Sequence, residues 1–207
     1  MKMGFPHTLV SVHSFIIQSD SLLLQLIPMS MDRLFDSITP GELHENFLNL
    51  IKNDWMLVTA GNIGSFNTMT ASWGTIGFLW NKPIAICFIR PHRYTYEFAE
   101  KYECFTLSFF DYQYREVLDF CGTHPGRDID KISQTGLRPI ETELGNITYE
   151  QSRLVLECRK IYADTLKPEN FMLMEVAKKN YPAGDYHKFY IGEIIGCYEK
   201  VTSDKEK

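Results

Sequence analysis

The chain has 207 residues, which suits one domain with extensions and is long enough to bury a sizeable core. Its 26 Asp and Glu outnumber 21 Lys and Arg, giving a net charge of −5, and this argues against a nucleic-acid partner, which needs a basic face. The five cysteines are odd in number and form no C-x-x-C pair, so they read as reduced thiols of a cytoplasmic protein rather than as a disulfide framework.

Residues 1–30 carry broken apolar runs. Leu9-Val10 and Phe15-Ile16-Ile17 are interrupted by His13, Gln18 and Asp20, and a third run, from Leu22 to Ile27, contains Gln25. None reaches the ~18–20 apolar residues of a membrane-spanning helix, so no membrane partner is expected. A signal peptide wants a longer clean apolar stretch, although a weak signal segment stays open as an alternative.

The first predicted helix covers residues 40–52. Thr39 and Glu42 form a capping box, Pro40 takes the first helical position, and Leu43, Phe47, Leu50 and Ile51 follow the helical period. A buried strand is expected over 56–60, followed by turn signals at Gly61-Asn62 and Gly64-Ser65. Strands follow over 69–75 and 84–89, the second introduced by the turn Asn81-Lys82-Pro83. A helix is expected over 95–102, a strand over 105–109, and a helix over 112–120 with Tyr114, Val117, Leu118 and Cys121 on one side. Residues 121–126 read as a loop, and Asp128 is expected to cap a short helix holding Lys131. Long strands close the chain over 154–162 and 189–198.

Cys87, Cys158 and Cys197 fall in apolar, strand-like stretches and read as buried thiols. Cys121 and His124 have C-x-x-H spacing without a second pair, so no metal is expected. There is no G-x-G-x-x-G fingerprint, P-loop or G-x-S-x-G elbow, and a nicotinamide cofactor would therefore bind transiently. Strands separated by short helices, without a regular βαβ rhythm, predict a mainly β fold: an antiparallel barrel with peripheral helices.

Two runs carry the chemistry. The first is Asn67-Thr68-Met69-Thr70-Ala71-Ser72-Trp73-Gly74-Thr75, dense in hydroxyls and amides with an aromatic near its end. Its backbone, with the side chains of Asn67, Thr68, Thr70 and Ser72, suits the polar rim of a flat ligand; Trp73 is either a ligand contact or core. The second is Ile89-Arg90-Pro91-His92-Arg93-Tyr94-Thr95-Tyr96-Glu97. Arg90, Arg93, Tyr94 and Thr95 place guanidiniums and hydroxyls just ahead of a helix start, whose free amides also favour an anion. The bland alternative is a salt-bridge cluster with Glu97 and Glu100. Together the runs suit a flat ligand that carries a phosphate, such as FMN.

Both runs resemble the flavin reductase-like, FMN-binding split-barrel family, which includes flavoredoxins, and the resemblance covers roughly residues 43–201. Two later segments agree. His124-Pro125-Gly126-Arg127-Asp128-Ile129-Asp130-Lys131 resembles the family's S-G-R-D-x-D-K loop, with Pro125 in place of a small hydroxyl residue. Asp185-Tyr186-His187-Lys188-Phe189-Tyr190-Ile191-Gly192 resembles its D-H-x-x-x-x-G run, with Tyr186 inserted. The resemblance implies a Greek-key antiparallel split barrel over residues 31–207, with 1–30 as an extension, either loosely attached or read from an upstream start. It implies FMN held by Asn67, Thr68, Met69, Thr70, Ala71, Ser72, Trp73, Arg90, Arg93, Tyr94, Thr95 and Lys131. It also implies NADH or NADPH as a transient donor, His187 beside the ring as the catalytic candidate, and a homodimer. The rivals are a flavoredoxin-type carrier with a redox partner protein and a binding module without turnover.

Overall fold

The computed structural model describes residues 30–201, so the extension expected over 1–30 lies, apart from Ser30, outside the described residues. The described chain opens with α1 (Met31–Leu34) and β1 (Phe35–Ser37), whose Met31 and Phe35 are buried. A 3-10 turn, Pro40–Glu42, precedes α2 (Phe47–Asn49), which runs into a π turn, Leu50–Asp54. Next come β2 (Met56–Asn62), β3 (Ser65–Ala71), β4 (Gly74–Leu79), β5 (Lys82–Ile89), α3 (Tyr94–Lys101) and β6 (Cys104–Phe109). A 3-10 turn leads into α4 (Arg115–Thr123), then α5 (Lys131–Thr135), β7 (Pro139–Glu141) and β8 (Ile147–Tyr149). The remaining elements are β9 (Leu154–Thr165), α6 (Met174–Asn180) and β10 (Lys188–Lys200).

The main sheet runs in the order β3-β2-β6-β9-β10-β5-β4, every pair antiparallel, with β1 added on β10. Its two outermost strands, β3 and β4, are joined by Ser72 and Trp73 alone. Two residues span at most ~11 Å between the flanking Cα atoms. A flat sheet of this order would hold its edges roughly 29 Å apart at ~4.8 Å per strand. The sheet must therefore roll into a barrel that closes across the link yet stays split along β3 and β4. Bulges between Ile191 and Gly192, and between Ile194 and Gly196, add the local twist that the roll requires.

The barrel interior holds Met56, Val58, Phe105, Leu107, Leu156 and Tyr190, all essentially excluded from solvent. A second cluster, Leu57, Phe110, Leu118, Cys121 and Tyr149, fixes α4 against the outer face beside β3. Cys87, Cys121, Cys158 and Cys197 are buried and free, and burial pushes the Cys87 thiol up to about 12. The β7–β8 hairpin is anchored by Glu157, fully buried in β9. Its carboxylate accepts from Thr142 Oγ1, from Asn146 Nδ2 at 2.6 Å and from the Tyr198 hydroxyl at 3.0 Å. Among the described residues no helix is long and apolar enough to cross a membrane.

Several predicted boundaries move, each for a local reason. The helix expected over 40–52 is broken. The capping box forms, with Thr39 N donating to Glu42 at 2.7 Å, but Asn46 then caps a second start through a bond from Asn49 N. Glu45 is drawn away to Arg153. The strand expected over 69–75 turns a corner at Ser72-Trp73, where Gly74 passes so close to Ile86 that a Cβ would sit 2.7 Å from its carbonyl oxygen. The β4–β5 turn is Trp80-Asn81, both left-handed at φ 51° and 58° as a two-residue hairpin demands, which puts Lys82 and Pro83 in β5. The loop expected over 121–126 is shorter, because α4 continues through Thr123. Asp130, not Asp128, caps α5, accepting from Ile132 N and Ser133 N.

A Cβ on Gly192 would lie 2.7 Å from Cys158 Cβ and 2.8 Å from the Phe105 ring, both in the packed interior. Gly192→Ala is expected to cost about 1–3 kcal/mol through overpacking, read as a lower urea midpoint with an unchanged slope.

Candidate functional site

The split leaves β3 with one unpaired edge, and an edge strand presents free N–H and C=O groups. Along that edge lie three adjoining hollows. The first, about 250 Å³, is lined by Met69, Thr70, Ala71, Ser72 and Trp73 on one side and Phe88, Arg90, Arg93 and His187 on the other. The second, also about 250 Å³, has Asn67, Arg93, Tyr94, Thr95 and Lys131 in its wall, with the backbone at Gly122 and Gly126. Arg93 borders both. The third contains Thr68 in its wall and meets the second at Lys131. All the residues predicted from the two runs, with Lys131 and His187, thus line one continuous trough.

The second hollow carries an uncompensated positive charge. Lys131, the first residue of α5, is only 5% exposed, and its Nζ donates to Thr68 O at 2.7 Å and Cys121 O at 2.8 Å. Burial, with Arg93 adding repulsion and Cys121 opposing, pulls its ammonium down to about 8. Arg93 donates Nη1 to Gly122 O at 2.7 Å, and desolvation lowers its pKa too. Neither cation meets a carboxylate among the described residues. The salt-bridge alternative for Arg93 fails for a plain reason: Glu97 pairs with Arg127, and Glu100 with Lys188. A buried ammonium and a half-buried guanidinium, held by carbonyls alone, favour an anion beside them.

Several predicted side chains are already bound by the protein. Strand alternation turns Thr68 onto the outer face under the second cluster, where it bonds Thr59 Oγ1 at 3.0 Å. Thr70 donates to Leu118 O on α4. Asn67 and Thr95 hold each other: with its oxygen turned toward α3, the Asn67 amide accepts from Thr95 N at 3.1 Å and Thr95 Oγ1 at 2.7 Å. Asn67 is therefore a helix cap supplied from a neighbouring strand, since no side chain caps α3 from its own N-cap position. Gly126 crosses directly over this amide, where a Cβ would come within 2.1 Å. Arg90 lines the first hollow, but its guanidinium pairs with Asp185 and donates to Asn180 O at 2.9 Å. Arg90 and Thr95 are thus engaged within the protein, whereas Arg93 and Lys131 are held by backbone carbonyls alone. On β3 it is the backbone and Ser72 that remain to serve a ligand.

The first hollow is walled by rings. His187 lies 5.0 Å from Trp73 and 6.3 Å from Phe88, centroid to centroid, and its Nδ1 shares a 2.9 Å hydrogen bond with the Tyr181 hydroxyl. Burial first, then the Arg90 charge, pushes the imidazole down to about 4, so it is neutral at ordinary pH.

The sequence matches the flavin reductase like domain over residues 48–206, most of the chain. The chain belongs to the flavin reductase-like family. Solved structures share the fold. A flavoredoxin from Methanosarcina acetivorans aligns over 70% of this chain and 68% of its own at 24% identity, with a TM-score of 0.55. An FMN-binding protein from Thermus thermophilus, with bound p-hydroxybenzaldehyde, aligns over 83% and 85% at 19% identity and 0.58. Nitrilotriacetate monooxygenase component B from Bacillus cereus aligns over 78% and 80% at 18% and 0.55. No curated protein matches the sequence. Within this flavin reductase-like fold, sequence reasoning missed Phe88 and Tyr181. Phe88 carried a signal, as an aromatic directly before the arginine run; Tyr181 had none.

Asn67→Ala removes the cap on α3 and is expected to cost about 0.5–2 kcal/mol, whereas Asn67→Asp keeps an acceptor there and loses less. Urea denaturation of the ligand-free protein checks the ranking.

Proposed function

We propose that this flavin reductase-like protein binds FMN along the β3 edge and uses NADH or NADPH to reduce it. The observation that carries the reading is the pairing of a ring-walled hollow with an anion pocket that shares Arg93. The donor set fits the parts of FMN. Trp73 and Phe88 offer apolar faces to an isoalloxazine. Ser72 and the free edge of β3 offer donors and acceptors to its polar rim. Arg93 and Lys131 offer charge to the phosphate.

Bound FMN supplies a two-electron centre that accepts hydride from a reduced nicotinamide, a chemistry that belongs to the cofactor. The protein's part is orientation and exclusion of water. Arg93 and Lys131 anchor the phosphate end and so fix how deep the ring lies. His187, neutral and held through Nδ1 by Tyr181, keeps Nε2 without a partner among the described residues; in this proposal it positions the incoming nicotinamide against the ring. No charged acid or base is required for hydride transfer, which depends on proximity. A second copy of the chain is the proposed partner. β4 is the other free edge, and Phe78 on it and Trp80 in the turn that follows are 73% and 58% exposed, a patch that stable proteins cover. The reduced, buried thiols fit a cytoplasmic setting.

The flavoredoxin-type carrier is the second reading. It is favoured by a row of rings, Phe88, Phe189, Tyr162 and Trp80, spaced 6.0–6.3 Å from the first hollow to the surface. The purified protein, mixed anaerobically with NADH and then NADPH, decides between them. Rapid bleaching of the flavin band supports the reductase; a tightly held flavin that neither nicotinamide bleaches supports the carrier.

Arg93→Ala is expected to weaken FMN by about 1.5–3 kcal/mol and leave riboflavin, which has no phosphate, unchanged. Fluorescence titration of both ligands checks it, and equal losses would refute the phosphate assignment. His187→Ala is expected to slow hydride transfer while FMN affinity stays within about threefold, or ~0.7 kcal/mol. Stopped-flow reduction beside flavin titration separates the two effects; loss of flavin with a normal reduction rate would make His187 a flavin ligand instead.

A further inference from the structure

Arg90 stands in the wall of the first hollow, yet its guanidinium is committed to the segment between α6 and β10. It pairs with Asp185, donates Nη2 to Asn180 O at 2.9 Å, and lies 5.2 Å from the centre of the Tyr181 ring. Both ends of the turn over residues 180–185 are thereby tied to the residue that follows β5. Inside the turn Gly184 N donates to Tyr181 O at 3.0 Å, with Gly184 left-handed at φ 69°. Tyr186, the inserted residue of its run, stacks on Tyr181 at 4.8 Å and 29°. Phe171 closes on Tyr186 at 5.9 Å and on Tyr181 at 6.0 Å. These restraints converge on Tyr181, which is only 6% exposed.

What they hold in place is its hydroxyl, 2.9 Å from His187 Nδ1. The surroundings decide which atom carries the shared proton. Among the described residues the Tyr181 hydroxyl has no other hydrogen-bond partner. With the proton on Nδ1, the phenolic O–H would be buried without an acceptor. With the hydroxyl donating, both atoms are satisfied, and the ring's own proton sits on Nε2. The phenol is fit to donate, because burial raises its pKa against the opposing Arg90 charge. The imidazole is fit to accept, because it is neutral. His187 lines the hollow beside Trp73 and Phe88, and its Nε2 is left for a ligand.

We propose that Tyr181 is a positioning residue: it donates to His187 Nδ1, locks the Nε2–H tautomer, and so presents a hydrogen-bond donor to a carbonyl oxygen in the ring-walled hollow. The proposal deepens the reductase reading and rests on it for the ligand, the carboxamide oxygen of the incoming nicotinamide. Arg90 and Tyr186 serve the same end by holding the turn that carries Tyr181.

The tautomer is read in ligand-free, nitrogen-15-labelled protein near neutral pH by long-range proton–nitrogen correlation, with the His187 signals identified by their loss in His187→Gln. A bare Nδ1 with a protonated Nε2 is expected, and a proton resident mainly on Nδ1 overturns the proposal. The role is read by stopped-flow reduction of the FMN-loaded protein with NADH. Tyr181→Phe keeps the ring and its stacking, and thermal melts confirm its folding. It is expected to slow reduction at least about fivefold while FMN affinity stays within about twofold. Gln sets its amide nitrogen where Nε2 stands and has no atom at Nδ1, so in a His187→Gln background the same change is expected to alter the rate less than about twofold. Equal losses in the two backgrounds mark Tyr181 as packing alone and overturn the positioning role, as does an unchanged rate in the wild-type background. If the wild type binds no FMN, or is reduced by neither NADH nor NADPH, the reductase reading falls and the carboxamide assignment with it, while the ligand-free spectrum still decides the tautomer.

Discussion

The two-residue link between β3 and β4 constrains everything else. Ser72 and Trp73 tie together strands that end the sheet on opposite sides, and no flat arrangement satisfies that length. Rolling the sheet satisfies it, and leaves β3 and β4 as the lips of a split. The trough follows one lip, and the exposed aromatics Phe78 and Trp80 mark the other. The bulges in β10 and the close approaches at Gly74 and Gly192 follow from the same curvature.

Around the β3 lip the fold concentrates positive charge that it does not neutralise. α4 and β3 supply carbonyls to Arg93 and Lys131, and the nearby carboxylates are engaged elsewhere: Asp185 with Arg90, Glu97 with Arg127. Burial holds the Lys131 ammonium at about 8, so the ligand-free protein carries a cost there that an anion relieves. In the ring-walled hollow next to it Arg90 is paired and His187 is neutral, so charge enters only at the shared Arg93 end. A ligand with one charged end and one flat end meets a matching gradient along β3.

Much of this was legible in the sequence, and the limits have physical causes. Apolar runs located β2, β5, β6, β9 and β10, because a strand buried on both faces announces itself by composition alone. The runs around Asn67 and Arg93 located the trough. What side chains do within it was not legible: whether Thr68 faces in or out depends on register, and Arg90 finds its partner 95 residues away in Asp185. Asn67 as a cap for α3 likewise joins residues 28 apart. The corner at Ser72-Trp73 carried no turn signal of its own, since the barrel closure imposes it from outside. The broken helix after Thr39 was foreseeable in part, as Asn46 is an N-cap residue in plain view.

The central claim is that Arg93 and Lys131 hold the phosphate of a flavin in a pocket where burial pulls the Lys131 ammonium down to about 8. A phosphate favours the charged ammonium, so binding raises the Lys131 pKa and takes up a proton. Affinity is therefore full below about pH 8 and falls as the pH rises past it. Above pH 7 the phosphate itself is already fully ionised, with its second pKa at about 6. The direct measurement is the dissociation constant of FMN beside that of riboflavin from pH 7 to 9.5. The account predicts that FMN weakens about tenfold, an ordinary consequence of losing one charge worth ~1.4 kcal/mol, while riboflavin stays constant. An FMN affinity that is flat over this range, or a riboflavin affinity that falls in parallel, would contradict it.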